Sequence, residues 1–134
     1  LHYAADAAAP RGRTILIEPL NDHDAPGYFL NHTEKARRII EAVGAPNLKL
    51  MFDCYHIQIL EGDLTRRIDA NLDITGHIQF AGVPSRGRPD MGEVNYAHIF
   101  AHLAARGYDA PLGAEYRPEA GDTDASLGWM AALR

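Results

Sequence analysis

Short apolar runs alternate with helix-like patterns along the 134-residue chain. An Ala-rich stretch before Pro10 has the composition of a helix end. Four later runs have the length and boundaries of β-strands: Thr14–Glu18, Lys49–Tyr55, His77–Ala81 and Leu112–Tyr116. Each strand is followed by a segment with helical periodicity, an alternation typical of parallel α/β architecture. We therefore predict a helix end followed by four βα units.

The predicted helices are marked by capping residues and by the spacing of their apolar positions. Asn31, with Glu34 three residues later, matches the capping-box pattern. Apolar residues then recur at positions i, i+3, i+4 and i+7 until Gly44, which supplies a left-handed stop. Three further helices are predicted to begin at Asp63, at Asn95 and at about Asp124.

Each predicted strand ends with a polar residue on one face. Because side chains alternate along a strand, Glu18 lies opposite Ile15 and Ile17. The same alternation places three more polar residues in equivalent positions: Asp53, Gln79 and Glu115. A single carboxylate at a strand end often caps the following helix. Four polar ends in succession instead favour a shared site, because catalytic groups converge at this rim in barrels.

Three carboxylates and one amide form a set of hard oxygen ligands. Such a set suits Mg²⁺ or Mn²⁺, whereas zinc is more often bound by thiolates and imidazoles. Without a cation, Glu18, Asp53 and Glu115 would repel each other if they converged in one pocket. The cluster therefore implies either a divalent metal or raised carboxyl pKa values.

Composition narrows the classes of protein that fit. An apolar fraction of 46% and a charged fraction of 23% are those of a globular protein with one core. The formal net charge of −5 argues against a nucleic-acid partner. No apolar run approaches the roughly 18 residues that would predict a membrane span. The single cysteine, Cys54, excludes an internal disulfide framework and favours a cytoplasmic location.

Four segments resemble the hydroxypyruvate isomerases and their relatives, the 2-oxo-tetronate isomerases. They are Ile17-Glu18-Pro19-Leu20-Asn21, Phe52-Asp53-Cys54-Tyr55-His56, His77-Ile78-Gln79-Phe80-Ala81-Gly82 and Gly113-Ala114-Glu115-Tyr116. The wider group of xylose-isomerase-like TIM barrels also includes ketose 3-epimerases and endonuclease IV. The resemblance implies that residues 1–134 are a single partial domain. This domain would correspond to strands five to eight, the C-terminal half, of a (β/α)₈ barrel.

The resemblance also implies roles for individual residues. The metal-ligand positions of the group fall on Glu18, Asp53, Gln79 and Glu115. Glu18 and Glu115 also match its two catalytic glutamates, and His56 matches a histidine that contacts substrate oxygen. Arg86, in the loop after the third strand, is our first choice for binding a substrate carboxylate.

These roles imply that hydroxypyruvate is isomerised to tartronate semialdehyde through an enediolate, with Mg²⁺ or Mn²⁺ as cofactor. One glutamate would remove a proton and the other would return it to the neighbouring carbon. A 2-oxo-tetronate isomerase, a ketose 3-epimerase and a non-catalytic half-barrel binding module are the alternatives. Half a barrel exposes two sheet edges. We therefore expect a missing N-terminal half, or further copies of the chain in a homo-oligomer, as partner.

Overall fold

One parallel sheet organises the chain, in a computed structural model that describes residues 1–131 and 133. Its strand order is β1-β2-β3-β4, and every neighbouring pair is parallel. The strands are β1 (Ile15–Ile17), β2 (Leu48–Asp53), β3 (Thr75–Phe80) and β4 (Leu112–Ala114). All four lie within two residues of their predicted ends. This is the arrangement predicted for half of a (β/α)₈ barrel.

Six α-helices lie within the described residues. They are α1 (His2–Ala8), α2 (Thr33–Val43), α3 (Cys54–Leu60), α4 (Leu64–Asn71), α5 (Tyr96–Ala105) and α6 (Thr123–Ser126). Short 3₁₀ turns occupy Ala9–Arg11, Leu72–Ile74, Glu119–Gly121 and Leu127–Ala131. As predicted, Gly44 ends α2 in the left-handed region, with a φ of 67°. None of the helices described is long and apolar enough to cross a bilayer.

The hydrophobic core lies between the helices and one face of the sheet. Leu48, Leu50 and Phe52 of β2 are at most 1% exposed, and Ile78 and Phe80 of β3 are buried beside them. The helices cover this face with Ile40, Ile57, Ile68, Ile99 and Leu103. Each such side chain contributes roughly 1.5–3 kcal/mol when fully buried. This burial fixes which face of each strand meets the helices, and so which face carries the polar residues.

The opposite face of the sheet is open and chemically mixed. Its half-buried side chains include Leu16, Lys49, Met51, His77 and Gln79. The pairing of β2 with β3 shifts register opposite Gly76. A Cβ atom on Gly76 would lie 2.7 Å from both Leu16 Cδ2 and Lys49 Cβ. Glycine therefore lets these two side chains cover β3 on the face that would line the interior of a barrel.

The predicted capping box at the start of α2 is wrong. The helix begins at Thr33, and neither Asn31 nor Glu34 caps it. Instead the Thr33 backbone N–H donates to Glu61 Oε1 at 2.7 Å, and its hydroxyl donates to Oε2 at 3.0 Å. Because Glu61 lies 28 positions further along the chain, the local pattern contained no sign of this cap.

The predicted second strand is too long at its carboxyl end. Cys54 and Tyr55 open α3 instead, because Asp53 acts as the N-cap and its Oδ1 accepts from the Tyr55 N–H at 2.9 Å. Cys54 is fully buried and packs in the core from this helix. β4 likewise ends at Ala114, so Glu115 follows the strand.

The last predicted helix is short and continues as a 3₁₀ turn. Trp129 in this turn is 7% exposed. Its ring packs edge-to-face on Phe80, at 5.7 Å between centroids, and on Tyr116, at 6.0 Å. These contacts hold the C-terminal turn against the ends of β3 and β4.

Candidate active site at the strand ends

The carboxyl ends of the four strands bring polar side chains to one edge of the sheet. Glu18 follows β1, Asp53 ends β2, Gln79 is the penultimate residue of β3, and Glu115 follows β4. The register places Asp53 directly beside Gln79. The Glu115 N–H donates to the Phe80 carbonyl at 3.1 Å, which continues the ladder beyond β4.

Several polar atoms at this edge are buried without a hydrogen-bond partner among the described residues. They are Glu18 Oε1, Asp53 Oδ2, His56 Nε2 and Gln79 Oε1. Each unsatisfied buried group costs roughly 1–3 kcal/mol, so their clustering indicates a place built for an external group. His56 Nε2 lies 3.9 Å from Glu18 Oε1 and 3.8 Å from Asp53 Oδ2. One ligand atom from each of these three residues lies within 4.8 Å of the other two.

The donor set fits a hard divalent cation. Glu18, Asp53 and Gln79 offer unpartnered oxygen atoms, which Mg²⁺ and Mn²⁺ prefer. Glu115 is the most exposed of the predicted ligands, with 53% of its side chain accessible. His56 belongs to the close cluster although the sequence predicted it as a substrate contact. The hydrogen bonds of its ring to Asn21 distinguish the two roles.

Burial and mutual repulsion perturb the carboxyl groups. Burial, followed by the charges of Asp53 and Glu115, raises the pKa of Glu18 to about 7 against the opposing charge of Arg86. Burial likewise raises the pKa of Asp53 to about 6, although the Tyr55 N–H and Arg86 act against it. The sequence predicted either a divalent metal or raised carboxyl pKa values at this cluster. In the absence of a cation, the pKa values of Glu18 and Asp53 are raised.

Arg86 is the cation nearest to this cluster among the arginines at the strand ends. Its guanidinium lies 2.7 Å from Glu115 Oε2, 3.9 Å from Asp53 Oδ2 and 3.7 Å from Asp24 Oδ2. The same group lies 5.0 Å from the ring centroid of Tyr55. Two other arginines follow strands β3 and β4: Arg88 pairs with Asp90 at 2.6 Å, and Arg117 is exposed.

The loop between β3 and α5 holds Arg86 in an unusual backbone conformation. Arg86 has a φ of 55°, which is costly for a residue other than glycine and is often found at functional positions. A Cβ atom on Gly82 would lie 2.4 Å from the Arg88 carbonyl oxygen. One on Gly92 would lie 2.1 Å from the Val83 carbonyl oxygen. Both glycines therefore allow the loop to fold closely on itself and to present Arg86 to the cluster.

Three residues at the site were not among the predicted site residues: Asn21, Asp24 and Tyr55. Asn21 is fully buried and hydrogen-bonds to His56, 35 positions away. Asp24 and Tyr55 both contact Arg86. The only local sign of a role for Asn21 was that it is a polar residue three positions after Glu18. The contacts themselves depend on how β1 and β2 are paired.

A groove of about 620 Å³ lies elsewhere, beside the N-terminus of α2. It is lined by Asn31, His32, Glu34, Lys35, Arg38, Leu60, Glu61 and Arg67. The buried carboxylate of Glu61 already binds Thr33 and lies 3.1 Å from Arg67 Nη1. The groove carries none of the unpartnered buried atoms, so the strand-end cluster remains the candidate site.

A parallel half barrel with an acidic cluster at its strand ends defines a TIM-barrel class of protein. The model of the family described as "Xylose isomerase-like TIM barrel" matches residues 1–133, and the chain belongs to this family. This match confirms the resemblance seen in the sequence motifs and the fold class.

Individual relatives are similar over nearly the whole chain. It is 52% identical to the 2-oxo-tetronate isomerase of Cupriavidus necator over 97% of its length, and 40% identical to the hydroxypyruvate isomerase of Escherichia coli over all of it. These alignments cover 50% and 52% of the two relatives, so the chain spans about half their length.

Two solved structures share the fold. One, titled AP endonuclease, family 2 from Brucella melitensis, has a TM-score of 0.93 and 44% identity, over 99% of this chain and 51% of its own. The other, an E. coli 3-keto-D-glucoside 4-epimerase, has a TM-score of 0.88 and 28% identity, over 98% of this chain and 49% of its own.

Proposed function

We propose that this chain is the C-terminal half of a sugar-acid isomerase, corresponding to strands five to eight of its barrel. The reaction would interconvert hydroxypyruvate and tartronate semialdehyde. The observation that carries the proposal is the convergence of unpartnered oxygen atoms from Glu18, Asp53 and Gln79 beside Glu115 and Arg86. The relatives named as 2-oxo-tetronate and hydroxypyruvate isomerases support this class of reaction.

The residues that would hold the metal are Glu18, Asp53, Gln79 and Glu115. When bound, Mg²⁺ or Mn²⁺ supplies Lewis-acid stabilisation of the negative charge that develops on substrate oxygens. The unpartnered oxygen atoms of the first three residues support this assignment. Glu115 would have to exchange its hydrogen bond with Arg86 for the metal.

Glu18 and Glu115 would carry out the proton transfers. One carboxylate takes the proton from C3, and the electron pair of that C–H bond forms the C2–C3 double bond of an enediolate. A proton is then delivered to C2, while the hydroxyl proton moves from the C3 oxygen to the C2 oxygen. General acid–base catalysis requires such positioned carboxyl groups, and Glu18 and Glu115 lie at the same edge of the sheet. Their positions after β1 and β4 would let the two groups act from opposite sides.

Arg86 would bind the carboxylate of the substrate. Its guanidinium can form two parallel hydrogen bonds to a carboxylate, and its present partner, Glu115, shows that it can reach such a group. A substrate carboxylate would take over this role when Glu115 turns to the metal. This arrangement favours a keto acid over a neutral sugar.

A ketose epimerase is the second candidate function. The likeness to an E. coli 3-keto-D-glucoside 4-epimerase supports it, because that structure shares the half barrel at 28% identity. An epimerase would use the same carboxylates on a longer, uncharged substrate. A cytoplasmic location remains part of our proposal for either activity, in keeping with the free, buried thiol of Cys54.

The test is an assay of the full-length protein with hydroxypyruvate. We expect tartronate semialdehyde to form with Mg²⁺ or Mn²⁺ and the rate to fall to background with a chelator. A four-carbon 2-oxo acid and a ketohexose, assayed in parallel, separate the alternatives. Turnover of the ketohexose alone would favour the epimerase. No turnover of any of the three would exclude both enzymes.

A further inference from the structure

Asn21 and His56 form a buried pair that the proton-transfer scheme does not use. Asn21 is 0% exposed and His56 is 1% exposed. The backbone N–H of Asn21 donates to His56 Nδ1 at 3.0 Å. The side-chain nitrogen of Asn21, Nδ2, lies 2.7 Å from the same ring atom. One residue therefore directs two N–H groups at one nitrogen of the ring.

The orientation of the Asn21 amide is fixed by its other contacts. Its Oδ1 accepts from the backbone N–H groups of His23, at 3.0 Å, and Asp24, at 2.9 Å. Backbone N–H groups can only donate, so the oxygen must face them and the NH₂ group must face the ring. If the amide were flipped, its NH₂ group would face the N–H groups of His23 and Asp24, and donors would face donors.

These contacts select one tautomer of the imidazole. An Nδ1 atom that receives two donors must present its lone pair, so a neutral ring carries its proton on Nε2. Nε2 is buried and has no hydrogen-bond partner among the described residues. Its nearest carboxylate oxygens, on Asp53 and Glu18, lie at 3.8 and 3.9 Å, beyond hydrogen-bond distance. The Nε2–H therefore points into the site with its hydrogen-bonding capacity unused.

We propose that Asn21 is a positioning residue that locks His56 with its proton on Nε2, so that His56 donates a hydrogen bond to a substrate oxygen. A protonated ring nitrogen has no lone pair to give, so His56 does not ligate the metal although it lies in the close cluster with Glu18 and Asp53. The hydrogen bond from His56 to a substrate oxygen rests on the proposed function. The tautomer of His56 does not depend on that function.

The first test is ¹⁵N NMR of histidine-labelled full-length protein, with the His56 signals assigned from a His56→Gln variant. We expect an acceptor-type shift for Nδ1 and a protonated Nε2 that keeps its proton when Mg²⁺ is added. In Asn21→Asp, whose carboxylate would face Nδ1 with an acceptor in place of the amide donor, we expect the ring to gain a proton on Nδ1. A proton on Nδ1 in the wild-type protein, or loss of the Nε2 proton on addition of Mg²⁺, would overturn the proposal.

The second test is kinetic and uses Asn21→Asp, which replaces the donor facing Nδ1 by an acceptor. We expect kcat to fall by 10–100-fold, the usual effect of losing a residue that orients a functional group, with a smaller change in KM. Asn71→Asp is the matched control. Asn71 is also buried, at 4% exposure, but its side chain binds the Arg67 carbonyl at the other end of the sheet.

The combined outcomes separate the two proposals. Equal loss of kcat in Asn21→Asp and Asn71→Asp would indicate a general folding defect and overturn the positioning role. If the wild-type protein turned over no hydroxy-keto acid, the proposed function would fail. The NMR measurement would still decide whether Asn21 fixes the tautomer of His56.

Discussion

Glu18 and Asp53 retain protons at pH values where isolated carboxyl groups are ionised. Burial is the main cause for both, and it raises their pKa values to about 7 and about 6 from ordinary values of 4.5 and 3.8. A bound cation would reverse this situation, because its charge would favour the ionised forms. Protons and the proposed divalent metal would therefore compete for the same oxygen atoms.

This competition predicts that metal affinity rises with pH. Between about pH 5.5 and 8, Mn²⁺ should bind more tightly as Glu18 and Asp53 lose their protons, and protons should be released on binding. Calorimetric titration in buffers of different ionisation enthalpy measures both quantities. An affinity that does not change over this range would contradict the assignment of these two residues as ligands.

The same shift has the opposite effect on the stability of the metal-free protein. Because the folded form of Glu18 binds its proton more tightly than the unfolded form, its contribution is fully present below about pH 4.5 and is lost as the pH rises through about 7. The contribution of Glu18 to the free energy of unfolding should therefore fall over this interval. Denaturant titrations of the wild-type protein and of Glu18→Gln over this pH range isolate this contribution. The free energy of unfolding should fall less steeply with pH in the variant.

Replacing either proposed catalytic glutamate should reduce turnover strongly. We expect Glu18→Gln and Glu115→Gln each to lower kcat at least ~100-fold, because positioned acid–base catalysis contributes about this much. Glu34→Gln is the control, since its side chain is 77% exposed on α2 and outside the site. Retained turnover in either site variant would exclude the two-glutamate mechanism.

The alternation of side chains along each predicted strand was sufficient to locate the polar residues at the strand ends. It placed Glu18, Asp53, Gln79 and Glu115 on one face because the side-chain period of a strand is two. Their roles as ligands or catalysts stay predictions. The contact of Asn21 with His56 could not be predicted, since it joins residues 35 positions apart.

At the level of secondary structure, capping decided where the predictions were right or wrong. The apolar run that includes Cys54 and Tyr55 has the composition of a strand, but the Asp53 side chain stabilises a helix start instead. Asn95 was predicted to begin α5, and its Oδ1 accepts from the His98 N–H at 3.1 Å. A local cap such as Asn95 can be recognised from the sequence. Whether a cap such as Asp53 starts a helix in a segment that has the composition of a strand depends on tertiary packing.

The loop between β3 and α5 gives a prediction about close packing. Gly92→Ala should destabilise the fold more than Gly27→Ala, by roughly 1–3 kcal/mol, because its new methyl group would meet the Val83 carbonyl. Both glycines have positive φ, at 100° and 74°, but Gly27 has open space around it. Denaturant unfolding of the two variants measures the difference. An equal loss of stability in the two variants would show that the positive φ alone, and not the contact with Val83, causes the destabilisation.

Displacement of this loop should also weaken substrate binding. Because Arg86 lies between the two close contacts of the loop, Gly92→Ala is expected to raise KM for a keto acid, whereas Gly27→Ala is not.

At the level of the whole molecule, the sheet is open at both sides. Among the described strands, β1 pairs only with β2, and β4 pairs only with β3. The face that carries His77 and Gln79 is half-exposed, although it would line the interior of a closed barrel. Unpaired edges and a partly apolar open face favour association with further strands.

We therefore expect the 134-residue chain, expressed alone, to associate or aggregate and to have little or no isomerase activity. Sedimentation velocity over a range of concentrations, together with the hydroxypyruvate assay, checks both. Supplying a separate chain with four further βα units should reduce self-association. A stable, fully active monomer would contradict the proposal that another half barrel completes the site.

The packing of Trp129 gives the molecule an optical reporter of its own. It is the single tryptophan of the chain, and its indole ring meets the ring of Tyr116, the neighbour of Glu115. Emission from one known position therefore depends on whether the end of the fourth strand is ordered. Fluorescence can then follow the ordering of this end of the sheet in real time, without an attached dye and without a catalytic turnover.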